Sequence, residues 1–217
     1  MFLKDDINMR IGVFGGSFDP IHFGHLILAE ECRVEANLDQ VIFVPAAQSP
    51  LKDSAPRSSN KQRLEMLSLA LGGQTPFQIS NLELERGGKS FTVDTLRELK
   101  EQHQDSELFL LIGQDSLNSF DRWKSPDQIC QLATPLVIRR PVNHEVSKPV
   151  LELEKLASFV SSEQLDMIKE LAMKSRLIEI SSSDIRDRIL NGKSVRYLLP
   201  RAVEKYIETQ KLYLNRE

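Results

Sequence analysis

Two imidazoles, His22 and His25, stand three residues apart just after the run Gly15-Gly16-Ser17-Phe18-Asp19-Pro20. A glycine pair lets backbone N–H groups come close to a ligand, because no Cβ intervenes and positive φ is open to it, and phosphate is the guest such amides suit. If helical geometry has begun by His22, both rings share a face and point at whatever the glycines cradle. The plainer reading is a tight turn with two surface histidines. The chain holds four histidines in all, and two so close to a glycine-rich exit favour a site.

A second candidate lies far along the chain, at Ser181-Ser182-Ser183-Asp184-Ile185-Arg186. Serine caps a helix start well, and a helix N-terminus with free N–H groups, hydroxyls and an arginine is prepared for phosphate. Standing alone it would be an ordinary capped helix. Lys52 lies in a proline-containing loop after the second apolar run, where it is either a solvated lysine or a ligand contact. Asp115 follows the run Leu108–Ile112 and Gly113, placed either to accept ribose hydroxyls or to cap a helix starting near Ser116. Trp123 sits between charged Arg122 and Lys124; it either packs or offers an exposed indole on which a flat cationic ring can stack.

These residues need elements to carry them. Ile11–Phe14, Val41–Pro45, Leu108–Ile112 and Pro135–Ile138 are continuous apolar runs of the kind that form parallel strands buried on both faces. Phe77–Ser80 reads as extended structure running on through Leu82 and Leu84, and 177–180 as a further short strand. Between them, Gln62–Leu71 and a segment carrying Val93, Leu96 and Leu99 have helical spacing, the latter capped by Ser90 or Thr92 after the turn at Gly87-Gly88. Residues 143–174 suggest one or two amphipathic helices with Leu165, Ile168, Leu171 and Ala172 on one face. A last helix spans Val195 to Tyr213. The alternation predicts an α/β fold: a Rossmann-like doubly wound parallel sheet of about five to six strands with flanking helices and a small C-terminal helical part.

Composition excludes other classes. The 217 residues can bury a sizeable core, and 41% hydrophobic with 27% charged residues is ordinary for a globular chain. A net charge of −3 argues against broad nucleic-acid binding, so any phosphate site must be local. No apolar run reaches the roughly 20 residues that span a bilayer, and the first residues lack the order of a secretory signal. Cys32 and Cys130 lack metal-ligand spacing and suit free thiols in a reducing cytoplasm.

The run Gly-Gly-Ser-Phe-Asp-Pro-x-His-x-Gly-His resembles the H-x-G-H signature of the nucleotidyltransferase superfamily, in particular bacterial nicotinate-nucleotide adenylyltransferases. Ser-Ser-x-x-Ile-Arg resembles the superfamily's second motif, and Gly87–Leu96 resembles its segment for recognising a pyridine mononucleotide. The resemblance covers nearly the whole chain as one domain, 1–217, with residues 177–217 as a helical subregion. It implies adenylyl transfer from ATP to nicotinate mononucleotide, with Mg²⁺ held mainly by ATP phosphates and water rather than by protein side chains. It also implies that Phe14, Gly15, Gly16, His22, His25, Gly113, Asp115, Ile180, Ser182, Ser183 and Arg186 contact ATP. Ser17, Lys52, Phe91, Thr92 and Trp123 are then expected at the acceptor, and His22, His25, Arg186 and Lys52 in the chemistry. Nicotinamide mononucleotide or a phosphopantetheine-type acceptor is the alternative within the superfamily. From other classes, a non-catalytic nucleotide-binding module and a remnant of a class I aminoacyl-tRNA synthetase remain.

Overall fold

The computed structural model describes residues 8–50, 55–138, 153–174 and 179–214. Five strands form one parallel sheet: β1 (Arg10–Gly16), β2 (Gln40–Pro45), β3 (Phe77–Ile79), β4 (Glu107–Gly113) and β5 (Thr134–Ile138). Their order is β3-β2-β1-β4-β5, every neighbouring pair parallel. The chain leaves β1 toward one edge, then returns to build the other side from β4. The crevice beyond the C-terminal ends of β1 and β4 is therefore the topological switch point, where ligands bind in open α/β sheets.

Helices fill the crossovers: α1 (Phe23–Glu35), α2 (Asn60–Leu71), α3 (Leu82–Arg86), α4 (Thr92–Gln102), α5 (Gln114–Leu117) and α6 (Pro126–Leu132). After β5 come α7 (Glu154–Ala157), α8 (Ser162–Lys174), α9 (Ser182–Leu190) and α10 (Arg201–Gln210). A 3₁₀ turn, Phe120–Arg122, precedes Trp123. None of the described helices is long and apolar enough to cross a membrane.

Side chains alternate across each strand, so the sheet feeds two cores. Phe14, Phe43, Phe109 and Leu111 join one, together with Ile185 of α9 and Val203 and Ile207 of α10. Ile11, Val13, Ile42, Val44, Leu110 and Ile112 join the other, under α4 and α6. All six residues of β2 are buried, as its unbroken apolar run requires.

Several local expectations are corrected. Leu82 and Leu84 lie in α3 rather than in extended structure. Neither Ser90 nor Thr92 caps α4, whose N-cap is Phe91 without a side-chain bond; the Ser90 hydroxyl instead accepts from the Ala47 N–H at 3.0 Å. Helix α5 begins at Gln114, so Asp115 is inside it and not its cap. The last helix starts only after Pro200. Glu179 and Ile180 are in no strand, and Leu177 and Ile178 fall outside the described residues. Cys32 and Cys130 are free thiols, and burial pushes the pKa of each up to about 12.

Candidate active site

Beyond the ends of β1 and β4 opens a cavity of about 590 Å³. Phe14, Gly15, Gly16, Ser17 and His25 form one side of it, and Gly113 lies at its β4 edge. Phe91, Thr92 and Trp123 form the facing wall. Nine of the residues singled out in the sequence are thus brought to one space.

The glycine pair does not use positive φ; both residues complete β1, paired with Val44 and Pro45. The left-handed residue is Phe18, at φ 46°. A Cβ on Gly15 would meet nothing within 4 Å, so the strand end faces open space. His22 is the N-cap of α1 in extended conformation (φ −148°), its Nδ1 accepting from the His25 N–H at 3.4 Å. The histidines therefore meet because a cap precedes the first turn, not because both are helical. Their rings stack at 3.7 Å between centroids, and His25 meets the Phe18 ring edge-on at 5.1 Å. His22 is only 2% exposed, which removes the reading of two surface histidines. Gly24 between them is forced by packing: a Cβ there would lie 2.9 Å from His22 Nδ1 and 3.3 Å from the Ile180 carbonyl oxygen.

The second motif packs beneath the same turn. Ser181 caps α9, accepting from the Asp184 N–H at 3.1 Å. The Ser182 hydroxyl donates to the Pro20 carbonyl at 2.9 Å. Arg186 donates through Nη1 to the Asp19 carbonyl at 2.7 Å and through Nη2 to Ser183 Oγ at 3.1 Å, while its buried Nε has no protein partner among the described residues. The expectation that Arg186, Ser182 and Ser183 face the same cavity as His25 is not met directly. They brace the turn that carries the histidines, and none of them is on the cavity lining, nor are His22 and Ile180; the Asp115 side chain falls outside what is described. Lys52 lies outside the described residues.

Other residues went unforeseen. Arg63 is fully buried, donates to the Ser17 carbonyl at 2.8 Å and to Asn60 Oδ1 at 2.7 Å, and burial lowers its pKa against the pull of Asp19. Glu83 lines the cavity as a buried carboxyl that accepts from the Thr95 hydroxyl. Burial raises its pKa above the ordinary 4.5, opposed by its hydroxyl bonds and by Arg86. Three exposed cations, Lys89, Arg122 and Lys124, also line the space. Lys124 pairs with Asp94 at 2.8 Å and lies over the Phe91 ring at 4.7 Å. Only the two that flank Trp123 left a sequence signal: their charges marked that stretch as exposed. Trp123 itself is half-buried, packed on Phe120 at 5.3 Å.

A parallel sheet with its crevice at the β1/β4 switch, a glycine-ended strand and a capped histidine pair defines a nucleotide-binding α/β protein. Residues 13–188 match the family described as Cytidylyltransferase-like, and the chain belongs to that family. A probable nicotinate-nucleotide adenylyltransferase of Rhodopirellula baltica is 42% identical over 95% of this chain and 94% of its own length. One from Geobacter sp. is 40% identical over 95% of this chain and 99% of its own. Among solved structures, the nicotinic acid mononucleotide adenylyltransferase of Plasmodium falciparum complexed with NaAD shares the fold, with a TM-score of 0.70, 19% identity and coverage of 97% of this chain and 100% of that one.

Proposed function

We propose that this chain transfers the adenylyl group of ATP to nicotinate mononucleotide, forming nicotinate adenine dinucleotide and pyrophosphate, a step of NAD biosynthesis. Relatives bearing that activity in their names match it along almost its whole length. The observation that carries the reading is one cavity with His25 and the β1 end on one side and Trp123, Phe91 and Thr92 on the other. A nucleotide and a flat acceptor each find a suitable wall.

The acceptor's phosphate is already ionised near neutrality, since its second pKa is about 6, so the attack needs no general base. Its oxygen attacks the α-phosphorus of ATP, the Pα–O bond to the β-phosphate breaks, and pyrophosphate leaves with the electron pair. Two polyanions must be aligned, so positioning and charge stabilisation supply the acceleration. In this reading His25, backed by the stacked His22, meets charge growing on the transferred group. Ser17 and Lys52 steer the acceptor phosphate, and Gly15 leaves room for close approach. Arg186, Ser182 and Ser183 are assigned to the triphosphate, from the helix start that braces the turn.

Enzymes of this family use a divalent cation with ATP, which we assign as Mg²⁺; bound, it neutralises phosphate charge. Among the described residues no three His, Cys, Asp or Glu side chains gather to hold a metal. We read the ion as held mainly by ATP phosphate oxygens and water, as suits one that keeps several waters. The free thiols suit a reducing compartment, and we place the reaction in the cytoplasm. We read the chain as a single catalytic unit, since α9 and α10 share a core with the sheet.

Pyrophosphate release tests the assignment. With ATP and Mg²⁺, release should be rapid with nicotinate mononucleotide and slower with the nicotinamide form. No release with either acceptor would overturn it.

A further inference from the structure

The turn that carries the histidines is held by a residue near the other end of the chain. Asp19 is 3% exposed, yet its carboxylate is fully engaged. It accepts from the Arg57 N–H at 2.7 Å, the Ser58 N–H at 3.2 Å, the Ser58 hydroxyl, and the Tyr213 hydroxyl at 2.7 Å. Tyr213 is 7% exposed, lies 194 positions from Asp19 and takes a left-handed φ of 64°. A non-glycine residue adopts that conformation only where its surroundings over-determine it. Burial and the neighbouring Asp19 push its phenol up, so it stays a donor throughout the working range.

The backbone of the same turn is held as tightly from the other side. The carbonyls of Ser17, Asp19 and Pro20 accept from Arg63, Arg186 and Ser182 in turn. The carbonyls are held by α2 and α9, and the Asp19 side chain is held by the Tyr213 and Ser58 hydroxyls together with the Arg57 and Ser58 N–H groups. His22 follows three residues later with its ring against His25. We propose that Tyr213 is a positioning residue for the transfer: through Asp19 its hydroxyl sets the turn bearing Ser17, His22 and His25. The proposal rests on the adenylyl-transfer reading and extends it to a residue outside the cavity lining.

Tyr213→Phe removes the hydroxyl and keeps the buried ring. Assayed with ATP, Mg²⁺ and nicotinate mononucleotide well below its unfolding temperature, the variant should lose about tenfold in kcat. That is the order of one hydrogen bond to a charged group expressed in the transition state. KM for both substrates should change less than about twofold, because the facing wall of Phe91, Thr92 and Trp123 is untouched. Combining it with Asp19→Asn should cost no more than Asp19→Asn alone, as two members of one linkage are not additive. A lowered melting midpoint with unchanged kcat would overturn the proposal and leave Tyr213 a packing residue. Should Tyr213→Phe not fold, Ser58→Ala removes another hydroxyl from the same carboxylate, and an unchanged kcat there overturns the proposal equally. Inactive wild-type protein would sink the reading itself, an outcome distinct from a variant matching an active wild type.

Discussion

The turn from Ser17 to His25 and the wall facing it, from Glu83 to Lys124, bound the same cavity and are built in opposite ways. The turn is made of buried side chains, Phe18, Asp19 and His22, and its carbonyls are held by α2 and α9. The wall holds two glycines at φ 67° and 66°, three exposed cations and a half-buried tryptophan. Groups that must meet charge appearing only in the transition state gain from being fixed beforehand, whereas groups that recognise a ground-state ligand need shape and surface. On the proposed function, we read the difference as placing rate mainly on one side of the cavity and recognition of the acceptor's ring on the other.

The sharpest way to break this contrast is His25→Ala. It should fold and lose on the order of a hundredfold or more in kcat, the effect of removing one preorganised charge-stabilising donor. A rise in KM with kcat preserved would move His25 to the recognition side. Next in size is Trp123→Ala, which should raise KM for the mononucleotide by roughly two- to tenfold, the worth of a ring stack, and leave KM for ATP nearly unchanged. Equal increases for both substrates would show that the wall does not discriminate between them.

The smallest effect concerns Glu83. Its folded pKa is raised above 4.5 by burial, so its contribution to stability is present below that value and is lost as pH rises through the raised folded value. Glu83→Gln removes this dependence. The melting midpoint of the variant relative to wild type should therefore climb from about pH 4.5 upward, within a few degrees in total. Parallel curves would mean that the wall bears no buried ionisation and would sharpen the contrast no further.

Much of the fold was legible because its signals are local. A parallel strand covered on both faces must be apolar throughout, and Val41–Pro45 announces itself that way. The histidine motif was legible for the same reason, since a turn and a helix start are specified within about ten residues. Leu82-Glu83-Leu84-Glu85 misled, because alternation suits both a strand and one short helical turn, and the burial of Leu82 and Glu83 decided for α3. Arg63 and Tyr213 could not be read at all. Burying a guanidinium or a phenol depends on a carbonyl or carboxylate supplied from 46 or 194 positions away. Arg186 was found by its motif, but its grip on the Asp19 carbonyl was not, since a motif names a residue and not the atom it holds.

The clasp between Asp19 and Tyr213 has a bearing on how the protein comes into being. The turn at Asp19 is synthesised 194 positions before the phenol that completes its support. A nascent chain can pair β1 with β2 early, yet the turn stays incompletely held until the polypeptide has been translated through residue 213. On the proposed function, competence for catalysis then waits until Tyr213 has joined the fold.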